Sequence, residues 1–517
     1  MDRSEKPKFG PADAASEKLE LRLGATPGSA LRVAVLLAGA VLSVAPAQAP
    51  PPSPLAITGV TVIDPQDEAV RRDVTVVIRG GRIAAILTAD QQTPADVTVV
   101  QGEGRFLVPA LTDTHVHLTT RPEAEAPRDV LLPSLVAHGV LAVRDMGGDF
   151  DRVQELRRAI ASRAIAGPQI ITPGPFVDGS QPPSPTVAPV ANAAEAAATV
   201  LRLTRQDADF IKVQAGLAPD AWKGVLDAAS AAGLAVHGHV PEAVSAFDAV
   251  AGGQRTIEHV SPALPGDAAV MIAVSRDEAA IRAELAAIEQ EASRQDADRG
   301  ALRARQRAVQ RRIVDTTDDR KRADLFAAMR ERGVVLVPTL VWSAGLLPQD
   351  ADDRGEALDL VPRTVRQSFE RRRAAQLAQA DGDLFALHRH IAARSRAFAA
   401  AAQRAEVLVA AGTDAFDSFL PLGDSLHREL EQLVAGGMST RAALAAATEV
   451  PSRLHPSWAD RGGVRAGAVA DLLLLDANPL DDIRHTRRIR AVVRGGRLLD
   501  RTVLDRLLIE VRSAAAR

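Results

Sequence analysis

The sequence predicts an α/β fold, a (β/α)8 TIM barrel carrying a small β-sandwich-like domain built from both chain ends. Eight short apolar runs lie at residues 110–118, 140–146, 169–174, 209–213, 234–240, 255–260, 334–341 and 406–414, separated by helix-patterned stretches. Eight such units are the count of a closed barrel. β-Branched stretches flank this region on both sides. Within them the hexapeptides VIRGGR (77–82) and VVRGGR (492–497) recur, one near each end, as expected of two halves of one domain.

Residues 1–47 read as a secretory signal peptide. An uncharged apolar run at 33–45 (VAVLLAGAVLSVA) follows Arg32, and at 13 residues it is too short to span a bilayer. Cleavage is expected after Ala47, at the small-x-small site Ala45-Pro46-Ala47, because cleavage after Ala49 would place Pro50 beside the scissile bond. The mature chain is then exported, periplasmic or secreted, with no membrane span left. A Pro-rich junction at 48–54 leads into the first part of the β domain (55–108). The barrel occupies 109–460, with a charged, Ala-rich helical insertion at about 275–330, and the second part of the β domain occupies 461–505.

Composition narrows the chemistry. The 517 residues are 46% apolar, with 62 basic against 65 acidic side chains and a net charge of −3, so no electrostatic footprint for nucleic acid is present. There is no Cys and no Tyr. Cysteine-bound zinc, iron–sulfur clusters, thiol nucleophiles and disulfides are excluded. Any metal must be held by nitrogen and oxygen, which directs attention to the 11 histidines.

His115 and His117 stand at i and i+2 in a strand pattern, so both imidazoles face one side and can share a metal. Alone, such a pair also suits core packing. However, His239, His259 and Asp414 close later apolar runs, and in a barrel the C-terminal strand ends converge on one mouth. His237, two positions before His239, competes with it for the ligand role. Lys212 closes the run ADFIKV. A lysine at a strand end is ordinarily ion-paired or snorkelling, but beside imidazoles its neutral amine can add CO₂ and become an anionic bridge between two cations.

The segments LVPALTDTHVHL, HGVLAVRDMGG, ADFIKV, HGHVPEAVSAFDAVAGGQRTIEH, VAAGTD, LHREL and AGAVADLLLLDANPLDDI together resemble the amidohydrolase superfamily, in its imidazolonepropionase-like and Xaa-Pro dipeptidase-like branch. The resemblance runs from about residue 55 to 500. It implies a metal-dependent hydrolase of carbon–nitrogen bonds with two divalent ions, expected to be zinc. His115 and His117 would hold one ion, His239 and His259 the other, with carbamylated Lys212 bridging. Asp414 would ligate the first ion and act as general base. The partner is a small-molecule or dipeptide-like substrate, and a homo-oligomer is compatible with the sequence. Arg144, Thr339, Trp342 and His427 are candidate substrate contacts. Pro109-Ala110 departs from the family's Pro-Gly, and the missing Tyr removes a side chain that related sites use on substrate.

Three rivals remain in view. A mononuclear deaminase would use His115, His117, His239 and Asp414 with Glu242 as proton shuttle, but has no use for Lys212. A serine esterase could be read into Gly423-Asp424-Ser425-Leu426 and His485, yet only 60 positions separate that serine and histidine. A non-catalytic envelope protein that binds metal or solute is the third.

Overall fold

The structure, a computed structural model, describes residues 52–120, 128–179, 184–345, 358–379, 382–415 and 420–516. The expected signal peptide lies outside the described residues, as does the start of the Pro-rich junction. Alternating apolar side chains draw the first described segments into strands: β1 (Leu55–Val62), β2 (Arg71–Arg79), β3 (Arg82–Leu87), β4 (Thr98–Gln101) and β5 (Phe106–Pro109). The chain then enters a series of short parallel strands separated by helices. These are β6 (Leu111–Val116), β7 (Val140–Asp145), β8 (Gln169–Ile171), β9 (Phe176–Asp178), β10 (Val187–Pro189), β11 (Ile211–Val213), β12 (Val236–Gly238), β13 (Thr256–Glu258) and β14 (Val335–Val337). It returns to the first sheet with β15 (Leu472–Leu475), β16 (Ile489–Arg494) and β17 (Arg497–Asp500), giving the order β17-β16-β15-β5-β1-β2-β3, with β4 paired to β1.

The repeated hexapeptides are hairpin turns of this terminal sheet. Gly80-Gly81 joins β2 to β3 and Gly495-Gly496 joins β16 to β17, with φ of 57°, 80°, 51° and 79°. Two consecutive left-handed residues define the turn whose twist matches antiparallel strands, and glycine adopts it without a Cβ penalty. The turns also touch each other: a Cβ on Gly496 would lie 2.9 Å from the Gly81 Cα. Behind them Ile57, Val76, Ile78, Leu107, Leu472 and Val493 form the core of this sheet.

The parallel region is barrel-like, but the expected closed eight-stranded barrel is not formed as a continuous ladder among the described residues. The strands group as β6-β7-β8, β10-β9-β11-β12 and β13-β14. Single hydrogen bonds cross between groups, from Asp209 N to Thr172 O (2.9 Å) and from Arg255 N to Val236 O (2.7 Å). The run 406–414, expected as the eighth strand, forms only the isolated bridges Leu336–Val409 and, just past its end, Val116–Ala415. The reason lies in its ends: Glu406 (φ 62°) and Asp414 (φ 58°) take left-handed conformations that a strand does not accommodate. The run 334–341 is shortened in the same way. Thr339 (φ 48°) turns the chain into the helix Leu340–Ala344.

The helical insertion contains Glu278–Ala292, Arg299–Asp315 and Asp319–Arg332. The first two are cross-linked by Arg305, which reaches Glu284 at 2.7 Å and Glu291 at 2.5 Å. Asp298 and Asp318 cap the second and third by accepting from backbone N–H groups, as short acidic side chains do at a helix N-terminus.

Terminal sheet and barrel meet at Gly139 (φ 76°), where a Cβ would stand 2.7 Å from Leu473 of β15. Gly139→Ala therefore combines a left-handed backbone with overpacking. It is expected to lower unfolding free energy by about 1–3 kcal/mol in urea titrations.

Candidate metal centre

The first group of ligand atoms is built on β6. His115 is fully buried within the strand and His117 follows its last residue. Asp414 arrives from the far end of the barrel region. Its Oδ1 lies 3.2 Å from His117 Nε2 and 3.5 Å from His115 Nε2. The donor atoms of these residues all fall within 4.8 Å of one another. Gly412 allows this approach, since a Cβ there would meet His115 Cβ and Val337 Cγ1, both at 2.7 Å.

The second group is His239, His259 and Asp267, again within 4.8 Å. His239 Nε2 stands 3.2 Å from Asp267 Oδ1. His239 and His259 follow β12 and β13 directly, where the chain leaves the sheet. The two groups share a border: the ring centroids of His115 and His259 are 4.8 Å apart, and those of His239 and His259 are 4.6 Å apart.

Each imidazole but one is oriented by its second nitrogen. His115 Nδ1 lies 2.8 Å from Glu258 Oε2, His117 Nδ1 lies 3.3 Å from Gly147 O, and His259 Nδ1 lies 2.7 Å from Thr339 Oγ1. These contacts leave Nε2 of each ring for a cation, the arrangement by which outer partners set the tautomer of a metal-bound histidine. His239 Nδ1 has no partner among the described residues. Burial lowers the pKa of His115, His239 and His259, which keeps their lone pairs available at neutral pH. Burial alone would raise the Asp414 carboxyl, but the charges of His115 and His117 and the hydrogen bond from His117 hold it well below its ordinary value. Asp414 in turn raises the pKa of His117 against burial, and a carboxylate closely paired with imidazoles in this way is a nitrogen–oxygen donor set suited to a divalent ion.

Lys212 is 1% exposed and its Nζ makes no hydrogen bond among the described residues. Burial lowers its pKa to about 8, while Glu258, Asp414 and Asp267 act in the opposite sense. Its charge is thus felt by one carboxylate of each ligand group. An isolated ammonium there would be poorly solvated, so the residue fits a site that neutralises or modifies it. Together with the partnerless Nε2 of His115, it makes this region suited to holding cations.

His237 is paired in register with Lys212 but is engaged elsewhere: its Nδ1 lies 3.1 Å from Thr256 Oγ1 and its ring meets Phe210 edge-on at 4.9 Å. Arg144 and His427, expected as substrate contacts, both have partners within the fold. Arg144 is fully buried, with Nε donating to Thr114 O, Nη1 to Thr256 and Nη2 to both oxygens of Glu258. His427 is buried between Thr486 Oγ1 and His138 O. Neither has a ring or guanidinium nitrogen to offer a substrate. Trp342 is half-buried against the main core, and Thr339 serves His259. Ser425 is fully buried in the helix Asp424–Ala435 and His485 Nδ1 is placed on Asn478 O, so the esterase reading gains nothing.

The residues that sequence reasoning missed are Asp267, Glu258 and Glu429. Asp267 ends a single 3-10 turn, Pro265–Asp267, with no strand pattern to mark it. Glu258 precedes His259 and its signal was available, a carboxylate inside an apolar run. Glu429 accepts from Leu340 N (3.1 Å) and Val341 N (2.7 Å) and so fixes the turn that carries Thr339.

Two outcomes are expected. Glu258→Gln removes the charge that orients His115 and should weaken metal retention roughly 10–100-fold, read by chelator competition. Burial pushes the Glu429 carboxyl from its ordinary 4.5 up to about 8. The folded state then holds a proton that the unfolded state releases, so stability present below pH 4.5 declines as pH rises through about 8. Thermal melts across that window should show the decline, and Glu429→Gln should flatten it.

The Amidohydrolase family profile matches residues 106–499. No curated protein matches the sequence. Among solved structures, a bottromycin amidohydrolase aligns with a TM-score of 0.65 and 21% identity, covering 89% of this chain and 90% of its own. A Xaa-Pro dipeptidase with methionine bound in its active site aligns at 0.59 and 18%, covering 87% of this chain and 100% of its own. An A. niger ochratoxinase aligns at 0.60 and 19%, covering 87% and 96%. At these identities the likeness establishes a fold, TIM-barrel-like with an extra domain. With a profile match over most of its length and a histidine–aspartate cradle at its strand ends, the chain belongs to the Amidohydrolase family.

Proposed function

We propose that this chain is a binuclear metal-dependent amidohydrolase that cleaves the carbon–nitrogen bond of a small amide or a dipeptide of the Xaa-Pro type. The observation that carries the reading is the pair of adjoining three-residue ligand groups with the partnerless, buried Lys212 acting on a carboxylate of each. His115, His117 and Asp414 would hold one divalent ion, and His239, His259 and Asp267 the other, with zinc favoured by the N/O donor set. Lys212 would take up CO₂ at Nζ, an N–C bond forming as one proton leaves, and as a carbamate would offer the site a further anionic oxygen donor. When bound, the ions supply Lewis acidity and lower the pKa of water towards neutrality.

The protein's own groups do the rest. Asp414, an unprotonated carboxylate, accepts the proton of the attacking water as the new carbon–oxygen bond forms, and then delivers it to the departing nitrogen, whose bond to carbon breaks as the carbonyl is restored. Glu258 and Thr339 hold the His115 and His259 rings against rotation. Glu242, the shuttle required by a deaminase, belongs to neither ligand group. No described helix is long and apolar enough to cross a membrane. Export, inferred from residues 33–49, favours a scavenged peptide-like substrate over an intracellular intermediate.

Metal quantitation on purified protein should give two ions per chain. Lys212→Ala should retain fewer than two and lose hydrolysis, while Asp414→Asn should lower kcat by roughly a hundredfold or more as base catalysis is lost. Screening Xaa-Pro dipeptides, N-acyl amino acids and carbamates identifies the substrate. A Lys212→Ala protein with two ions and full rate contradicts the binuclear reading. Ammonia release from an aminated heterocycle with one ion bound supports a deaminase, and two ions without turnover support a binding protein.

A further inference from the structure

A second cavity of about 740 Å³ lies at the opposite end of the parallel strands, lined by Leu141 and Gln169, where β7 and β8 begin, and closed by the β16–β17 hairpin and the C-terminal helix Arg501–Ala515. Five arginines line it: Arg157, Arg163, Arg461, Arg494 and Arg497. Two are compensated, Arg157 by Asp209 and Arg461 by Asp471. The other oxygen of Asp471 accepts Gly495 N at 2.6 Å, so this carboxylate is already shared between a guanidinium and the backbone. The side chains of Arg163, Arg494 and Arg497 make no hydrogen bond or ion pair among the described residues, so three uncompensated guanidiniums face one cleft. Guanidinium stays charged at any physiological pH, so three such groups around one cleft give it a positive potential that attracts an anion. Burial lowers the pKa of Arg494; Asp471 opposes this, and Arg461 and Arg163 add to it.

Much of the remaining lining is apolar. Leu141 is buried, while Ile160, Ile165, Leu499, Val503 and Leu507 are half-buried and line the same cavity. The volume lies within the range of small-molecule sites and far exceeds the need of an inorganic ion. An anion without a tail would leave this wall wet, and an uncharged chain would leave the arginines uncompensated.

We infer that this cleft binds a single-chain amphipathic anion, its acidic head on Arg163, Arg494 and Arg497 and its alkyl chain along the wall formed by Ile160, Ile165, Leu499, Val503 and Leu507. The inference is independent of the chemistry at the metal centre, which lies beyond the other ends of the strands.

Isothermal titration of the full chain with dodecanoate and with dodecyl phosphate, below their micellar concentrations, tests it. Saturable binding of one molecule per chain is expected. A carboxylate preferred over a phosphate points to a fatty acid, and the reverse to a phosphate-headed lipid; either supports the site. The exposed pair Arg163→Gln and Arg497→Gln, which poses little risk to folding, should weaken binding roughly tenfold or more through loss of charge-assisted hydrogen bonds. Leu507→Asp should do likewise through the wall. Metal content and hydrolysis should be unchanged in these variants. The inference is overturned if neither amphiphile saturates, if the variants bind as well as the parent, if inorganic phosphate competes as well as dodecyl phosphate, or if uncharged dodecanol binds as tightly as dodecanoate.

Discussion

The fully buried ion pair between Arg144 and Glu258 is the constraint on which the metal centre depends. Arg144 projects from β7 and meets both oxygens of Glu258 on β13, at 2.9 and 3.0 Å, while its Nε holds the Thr114 carbonyl of β6. Glu258 in turn receives Thr256 and holds the His115 ring. Neither charge has any exposed surface. Removing one partner of such a pair leaves the other without solvation and costs about 3–5 kcal/mol. The pair therefore locks β6, β7 and β13 in a single mutual position. That position fixes His115 relative to His259, and with them the border between the two ligand groups.

A second constraint acts through the backbone. His259, Thr339 and Asp414 all have positive φ, at 69°, 48° and 58°. His259 and Thr339 lie just past the ends of β13 and β14, and Asp414 ends the bridged run 406–414; none of the three keeps the backbone angles of a pleated strand. Non-glycine residues in this region carry a cost of about 1–3 kcal/mol, which the surroundings must over-determine. They do so visibly at Thr339, where Glu429 grips the two N–H groups that follow and His259 takes the hydroxyl. The same strain is why the strands are short and the ladder is interrupted. A regular closed barrel would keep these residues in the pleat, with side chains alternating between faces.

This explains what could be read from the sequence. His115, His117, His239, His259, Lys212 and Asp414 were accessible because each closes an apolar run, and strand periodicity brings such positions to one end. Periodicity does not report depth. Arg144 and His237 also sit in strand runs, yet the structure places Arg144 on Glu258 and His237 on Thr256. Asp267 was hidden because a turn carries no period. The glycine hairpins were visible as a repeat, and their φ values supply the reason. The eighth strand was overestimated because hydrophobicity at 406–414 gives burial without giving the backbone angles that deny it a ladder.

The absence of sulfur and phenol connects these features. Without Cys or Tyr, the buried ionisable groups near the centre are imidazoles, carboxylates, a guanidinium and an amine. Burial acts on them selectively: it keeps imidazoles neutral and disfavours isolated carboxylates and ammoniums. Asp414 and Glu258 resist through close cationic or imidazole partners, whereas Lys212 has no hydrogen-bond partner. The interior is therefore one in which a cation could satisfy several groups at once, with one buried amine among them. At the opposite strand ends the balance is reversed. There guanidiniums, which burial cannot readily neutralise, accumulate beside an apolar wall. Each end thus creates a demand for charge of opposite sign, cations at one and an anion at the other, and the strands between them keep the two demands apart.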